Sequence, residues 1–305
     1  MVIMKVFWLT RKVTWSNWWH KAVNMRTEKE MFDLILDFTR QDDRIRLVAM
    51  NGSRANPNAQ PDKYQDFDIV YLVTDMQSFL SNDAWLNTFG NRIIMQKPDT
   101  MQPDPAKIDS AFAYLMQLED GNRIDLTLFP VEELETYLES DRMCVLLLDK
   151  DGLVPNLPHS TDQDYWVQKP SCKTFDDCCN EFWWLSTYVA KGLARGQIPY
   201  ANAHLDLMRN ELMRMLSWQA GLEQGFTFSI GKDFKYLQKH TPESEWAQLL
   251  RTWRMDSTEN VWQSLFEVCD LFRRVSVKVA PGLGCPIPQY DHSVLPYLRQ
   301  IQSDG

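Results

Sequence analysis

The chain has 305 residues, a formal net charge of −9, 44% hydrophobic residues and 24% charged residues, with a pI of about 5.1. These values are typical of a globular protein that is long enough for two domains. They argue against a nucleic-acid partner, which usually meets a basic surface, and no apolar run approaches the ~20 residues of a membrane span. A small cationic ligand would suit the negative charge.

Residues 1–24 differ from the rest of the chain because they carry four basic side chains and no acidic one. Charge interrupts their apolar stretch, so they do not form a convincing signal peptide. We interpret 1–24 as an N-terminal extension, arising from an upstream start codon, that precedes a fold beginning at Met25. A surface-associating arm is the alternative.

The first half of the chain shows mixed helical and strand patterns. Apolar residues at helical spacing predict a helix over 27–40, and a β-like run follows at 45–50. A Pro-containing loop leads to a central strand at 67–73, apolar on both faces. Further elements are predicted in chain order: a helix at 76–89, strands at 111–119 and 123–129, and a helix at 131–138. The Gly-Asn centre of residues 120–123 predicts a type II′ hairpin between the two strands.

The second half of the chain shows helical periodicity only. Prolines at 155, 158 and 170 punctuate a connecting segment. Helical patterns are then predicted at 175–195, 201–221, 234–240, 244–253 and 258–280. We therefore predict an α+β fold, with a mixed-sheet domain at 25–155, an all-helical domain at 156–290 and a C-terminal tail at 291–305.

The six cysteines include no C-x-x-C pair. Five scattered histidines offer no metal-binding spacing. We expect reduced thiols packed inside a cytoplasmic protein.

Two carboxylates open the predicted strand at 67–73. Asp66 and Asp68 project to the same side of the strand, about 6–7 Å apart. Two carboxylates this close repel each other, and a divalent cation such as Mg²⁺ removes that repulsion. Asp125 is the only acid of the later strand and would join them if the two strands are neighbours. Three converging carboxylates indicate metal-assisted phosphoryl or nucleotidyl transfer.

A Gly-Ser-Arg turn precedes the carboxylates. Gly52 lets a phosphate approach the backbone closely, and Ser53 adds a hydroxyl donor. Arg54 adds a planar charged fork. The turn is therefore predicted to bind phosphates of a nucleotide.

Taken together, these motifs resemble the nucleotidyltransferase superfamily: a G-S-R turn, then D-F-D, then a later strand aspartate. Three stretches are similar to aminoglycoside 6-adenylyltransferases, the streptomycin-resistance enzymes. These stretches are QDFDI at 65–69, DGNRIDLTL at 120–128 and FDDCCNEFWWLSTYVAKGLAR at 175–195. The likeness covers roughly residues 25–285, and the third stretch is its most specific part.

The resemblance implies a nucleotidyltransferase domain at 25–155 and a helical substrate-binding domain at 156–290. It implies transfer of AMP from Mg-ATP to the 6-hydroxyl of streptomycin, with release of pyrophosphate and resistance to the antibiotic. Asp66 and Asp68 would hold Mg²⁺. Asp125 would be a metal ligand, a general base or both. We expect the protein to act as a monomer.

One helical face is predicted to bind the cationic drug through acids and aromatic rings. Asp177, Glu181, Trp184 and Tyr188 share this face, and Lys191 at its end would face the triphosphate. The other interpretation of this face is interdomain packing. Lys232, in a Gly-Lys pair at a predicted helix start, is a further candidate phosphate contact or a solvated lysine.

Three alternatives stay open. The same chemistry would serve another acceptor, such as a different aminoglycoside, a lincosamide or a protein hydroxyl. A nucleotidyltransferase that extends RNA ends is disfavoured by the missing basic stripe. A nucleotide-binding regulator without catalysis is disfavoured because all three candidate carboxylates are present.

Overall fold

The computed structural model describes residues 24–101 and 111–304. The chain divides into two compact units, with the boundary between Thr161 and Asp162. The predicted boundary lies a few residues earlier, at 155/156. Nearly all of the predicted N-terminal extension lies outside the described residues.

The first unit is built on a six-stranded mixed sheet with the strand order β3-β4-β5-β2-β1-β6. Strands β2 and β5 pair in parallel, and every other neighbouring pair is antiparallel. The prediction of a mixed sheet is confirmed. The elements in chain order are α1 Glu28–Gln41, β1 Ile45–Met50, α2 Gly52–Ala55, β2 Phe67–Val73, α3 Met76–Leu80, β3 Arg92–Gln96, β4 Phe112–Leu118, β5 Arg123–Pro130, α4 Leu134–Ser140 and β6 Val145–Asp149.

The two faces of this sheet differ in polarity. Strands β4 and β5 bury alternate residues, so one face joins a core that includes Met31 and Ile35 of α1. A capping box of Thr27 and Glu30 fixes the start of α1. The other face carries the half-buried Arg123, Asp125 and Thr127 of β5, whereas its β1 and β2 part joins a second buried core that includes Leu72 and Tyr137.

The hairpin between β4 and β5 differs from the predicted type II′ turn. The Gly121 N–H donates to the Leu118 carbonyl at 3.1 Å, and the Leu118 N–H donates to the Asn122 carbonyl at 2.9 Å. The turn therefore centres on Glu119 and Asp120, and Gly121 follows it at φ 91°. Such a positive φ after the turn is the bulge geometry that glycine favours.

The second unit consists almost entirely of helices, as predicted. Its α-helices are α5 Cys172–Ala194, α6 Ile198–Gln224, α7 Glu243–Arg251, α8 Thr258–Leu283 and α9 Tyr290–Asp304. Helices α5 and α6 form a hairpin, and both pack against α8. Phe182 of α5 and Phe272 of α8 stack at 3.7 Å between ring centroids. None of the described helices of the chain is long and apolar enough to span a bilayer.

The segment predicted as a C-terminal tail is largely helix α9, which packs against α5. Leu298 is fully buried in the core of the helical unit. Asp291 pairs with Arg273 of α8 at 2.8 Å, and the Tyr290 hydroxyl donates to Asp176 of α5 at 3.1 Å. Pro296 inside the helix weakens the sequence signal for it.

The prediction that all six cysteines are reduced is wrong for two of them. Cys172 begins α5, Cys285 follows the end of α8, and a disulfide joins them with Cα atoms 5.3 Å apart. The helix packing brings these positions together across 113 residues of sequence, which spacing alone does not reveal. The other four cysteines are free and buried.

We predict that thiol titration in denaturant finds four free thiols without reductant and six after reduction. Reduction should lower the free energy of unfolding by about 4 kcal/mol, because the bond closes a long loop in the unfolded chain. The Cys172→Ser, Cys285→Ser double variant is the control, and reductant should leave its unfolding curve unchanged. Six free thiols before reduction would contradict the bond.

Candidate active site

The parallel pairing of β2 and β5 places the predicted carboxylates side by side. Asp68 of β2 is in register with Asp125 of β5. Paired residues of neighbouring strands point to the same face, with the strands about 4.8 Å apart. Asp66 precedes β2 and lies two residues from Asp68, hence on the same side. The structure therefore brings these three carboxylates together.

Arg123 of β5 binds two of these carboxylates. Its Nε and Nη2 donate to Oδ1 and Oδ2 of Asp125 at 2.8 and 2.7 Å. Its Nε also lies 3.6 Å from Oδ2 of Asp66. The hydrogen bond to Asp125 raises the pKa of the Arg123 guanidinium, and the charges of Asp66 and Asp68 add to this effect.

Sequence analysis missed Arg123, although the signal was present. Residues i and i+2 of a strand share a face, so an Arg-x-Asp pattern places the two side chains together. Arg123 and Asp125 form such a pattern within the stretch that carries the resemblance.

Gly52 lies directly beneath the Asp68 carboxylate. Its φ is 68°, and a Cβ built at this position would overlap Oδ2 of Asp68. The preceding Asn51 is fixed by its N–H bond to the Asp68 carbonyl at 2.9 Å. The Tyr137 hydroxyl donates to Oδ1 of Asn51 at 2.6 Å. Because Gly52 has no side chain, the Asp68 carboxylate has room above it. The hydrogen bonds of Asn51 keep the turn next to Asp68.

Arg54 stabilises the backbone that leads into β2. Its guanidinium donates to the carbonyls of Asp66 and Gln65 at 3.1 and 3.0 Å. It also pairs with Glu28 of α1 at 2.6 Å and lies 3.9 Å over the Phe67 ring. This network orients Asp66, whereas a phosphate role for Arg54 stays a prediction. Ser53 is half-buried beside it.

The predicted drug face is an exposed stripe along α5. Trp184 is 57% exposed, and its Nε1 donates to the Tyr188 hydroxyl at 2.9 Å. Glu181 is also exposed, one turn before Trp184. Asp177 is paired with Lys173 at 2.5 Å, which partly neutralises its charge. The stripe therefore combines an acid with a hydrogen-bonded aromatic pair.

The predicted lysine contacts lie elsewhere in the helical unit. Lys191 is half-buried near the end of α5, with its Nζ 5.9 Å from the centre of the Tyr297 ring of α9. Lys232 is exposed, and its neighbours Asp233 and Phe234 have φ values of 53° and 61°. The helix predicted at 234–240 is therefore replaced by short 3-10 turns. Phe234 lines a cavity of about 460 Å³ with Trp166 and Trp218, among others.

The carboxylates suit a divalent cation in chemistry but are not arranged around one. Carboxylate oxygens are the hard donors that Mg²⁺ prefers. Among residues 24–101 and 111–304, no group of three or more potential ligands stands ready to hold a metal. Arg123 binds both oxygens of Asp125 and approaches Asp66. The donor set therefore fits Mg²⁺ by its chemistry, and in this structure Arg123 contacts two of the three carboxylates.

Replacing Gly52 by alanine should lower the free energy of unfolding by more than the backbone strain of a positive φ alone explains. Gly152 is the matched control, because its φ is 67° and a Cβ there would meet nothing within 4 Å. We expect Gly152→Ala to lower the free energy of unfolding by about 1 kcal/mol through strain. Gly52→Ala should lower it by about 3 kcal/mol, since overlap with Asp68 is added. Equal losses in urea unfolding would contradict the close approach.

The chain is similar to known proteins along most of its length. The model of the streptomycin adenylyltransferase family matches residues 25–301. An aminoglycoside 6-adenylyltransferase of Campylobacter jejuni is 48% identical over 92% of this chain and 98% of the relative. One of Bacillus subtilis is 44% identical over 91% of this chain and 98% of the relative. The crystal structure of an aminoglycoside 6-adenyltransferase from Bacillus subtilis is 41% identical, covers 91% of this chain and 99% of its own, and has a TM-score of 0.45.

The family match spans residues of both units, and its range covers positions 66, 68 and 125 of this chain. With relatives well above 30% identity over nearly their whole length, the resemblance seen in the sequence is confirmed. The chain is a nucleotidyltransferase and belongs to the streptomycin adenylyltransferase family.

Proposed function

We propose that the protein transfers AMP from Mg-ATP to the 6-hydroxyl of streptomycin, releases pyrophosphate and thereby confers resistance. The observation that carries this proposal is the juxtaposition of Asp68 and Asp125 on adjacent parallel strands, with Asp66 beside them. The names of the relatives support an aminoglycoside as acceptor. We propose a cytoplasmic monomer, since ATP is supplied there, with no nucleic-acid or membrane partner.

In this mechanism Asp66 and Asp68 would hold the metal and would thereby position the nucleotide. The bound Mg²⁺ would neutralise charge on the phosphates. Asp125 is a further ligand, or accepts the proton of the attacking hydroxyl, or does both. A base must come within hydrogen-bond reach of that proton. Gly52 and Ser53 are the proposed phosphate contacts of the mixed-sheet unit.

The proposed drug site is the exposed stripe of α5. Streptomycin carries two guanidinium groups, which an acid and aromatic faces can bind by charge pairing and cation–π contact. Glu181 is exposed and Trp184 is 57% exposed, so both are accessible to a ligand. Tyr188 orients Trp184 through the hydrogen bond between them. Asp177 extends the stripe by one turn. On drug binding, its ion pair with Lys173 would be replaced by one with a cationic group of the drug.

Asp66→Asn should reduce streptomycin-dependent pyrophosphate release by about 10³-fold, equivalent to about 4 kcal/mol of transition-state stabilisation. The change removes the ligand charge and keeps the side-chain volume. Asp62→Asn, which removes an acid from the preceding loop, is the control and should retain activity. A nearly normal rate for Asp66→Asn, with an unchanged circular dichroism spectrum, would contradict the metal assignment.

Glu181→Gln should weaken streptomycin binding about tenfold, because a charge-assisted hydrogen bond is lost. ATP affinity should stay the same. The control is Glu223→Gln, which removes an equal charge from an exposed position near the end of α6. Calorimetry measures both ligands, and an unchanged dissociation constant for streptomycin would show that the α5 stripe is not the drug site.

A further inference from the structure

We propose that Arg123 is an internal counter-ion that closes the metal site, and that a divalent cation binds only by displacing it. This inference rests on the proposed function, because it takes Asp66, Asp68 and Asp125 as the metal ligands. It assigns Arg123 a part in the reaction cycle that the resemblance does not provide.

The hydrogen bonds of Arg123 occupy Asp125, one of the three proposed metal ligands. Both oxygens of Asp125 accept hydrogen bonds from its guanidinium, at 2.8 and 2.7 Å. A bidentate bond of this kind directs the guanidinium along the lone pairs that a cation would also use. Arg123 and a metal therefore compete for the same carboxylate.

The strand register explains why Arg123 also reaches Asp66. Phe67 of β2 pairs with Ile124 of β5, so the position before Phe67 lies beside the position before Ile124. Those positions are Asp66 and Arg123, whose side chains approach within 3.6 Å. One guanidinium thus bridges the two strands at the point where the carboxylates converge.

The positive charge of Arg123 reduces the electrostatic repulsion among the three carboxylates. Three carboxylates on neighbouring strands repel one another when no cation is present, and repulsion within a partly buried site is weakly screened. The single charge of Arg123 offsets part of that repulsion in the metal-free protein. A divalent cation brings twice the charge, so it offsets more of the repulsion among the carboxylates than the guanidinium does.

The surroundings allow Arg123 to move without repacking the core. Its side chain is 39% exposed, and the Asp125 side chain is 20% exposed. Arg123 lines an open hollow of about 400 Å³ beside β3 and β4, whose other lining residues include Met95, Leu115 and Gln117. A rotation about the side-chain bonds would therefore carry the guanidinium from the carboxylates into open space.

The test is a titration of the nucleotide-free protein with Mn²⁺, followed by electron paramagnetic resonance of the unbound ion. Arg123→Gln should bind Mn²⁺ about tenfold more tightly than the unchanged protein, because the competing charge-assisted bonds are gone. Arg123→Lys keeps the charge and loses the bidentate geometry, so it should fall between them. If Arg123→Gln does not fold, Arg123→Lys tests the same competition, because it should still bind Mn²⁺ more tightly than the unchanged protein.

Arg46→Gln is the matched control. Arg46 of β1 binds Asp151 with a similar two-pronged contact, with its Nε 2.7 Å from Oδ2, at the other end of β1 from the carboxylates. Its replacement should leave Mn²⁺ affinity unchanged. If Arg123→Gln binds Mn²⁺ no more tightly than the unchanged protein, or if Arg46→Gln gains as much, the inference is overturned.

Asp66→Asn separates this inference from the proposed function. It should lose the Mn²⁺ site in the unchanged background and in Arg123→Gln. A site that persists in Asp66→Asn would contradict the proposed metal ligands themselves. A site that requires Asp66 but ignores Arg123 would overturn only the role of Arg123.

Discussion

The parallel pairing of β2 and β5 is the constraint on which the candidate site depends. It sets Asp68 against Asp125 in register and brings Asp66 beside Arg123. Carboxylates this close repel each other, so neighbouring groups are needed to hold them in place. The glycine beneath Asp68 leaves room for the carboxylate. The Arg54 guanidinium fixes the backbone on which Asp66 stands.

The placement of Asp66 and Asp68 on one side of β2 was predictable because its signal is local, whereas the approach of Asp125 depends on the pairing of β2 with β5. Strand alternation places Asp66 and Asp68 together, and a lone acid in an otherwise apolar strand identifies Asp125 as exceptional. The bounds of β1 and β2 were predicted to the residue, since each strand is an apolar run with one charged residue, Arg46 in β1 and Asp68 in β2. Strand β3 was missed, because its Ile93 and Ile94 are both exposed and give no alternation.

Features that depend on tertiary contacts were not predictable in this way. The Cys172–Cys285 disulfide follows from the packing of α5 and α8. Helix α9 was not predicted because its buried apolar stripe, which includes Leu298, is short and because the helix contains Pro296. The centre of the hairpin turn lies two residues closer to β4 than predicted, because Gly121 takes the position after the turn and not its centre. The Arg123 bridge requires the strand pairing to be known, although its Arg-x-Asp pattern is visible in the sequence.

The proposed reaction depends on Asp66 and Asp68 as ligands of the metal that binds the nucleotide. The most direct measurement is a crystal structure with Mn²⁺ and a non-hydrolysable ATP analogue, with the ion located by its anomalous scattering. We expect an anomalous peak within bonding distance of carboxylate oxygens of Asp66 and Asp68 and of the phosphates, with the Arg123 guanidinium withdrawn from Asp125. A bound nucleotide whose metal contacts neither Asp66 nor Asp68 would contradict it.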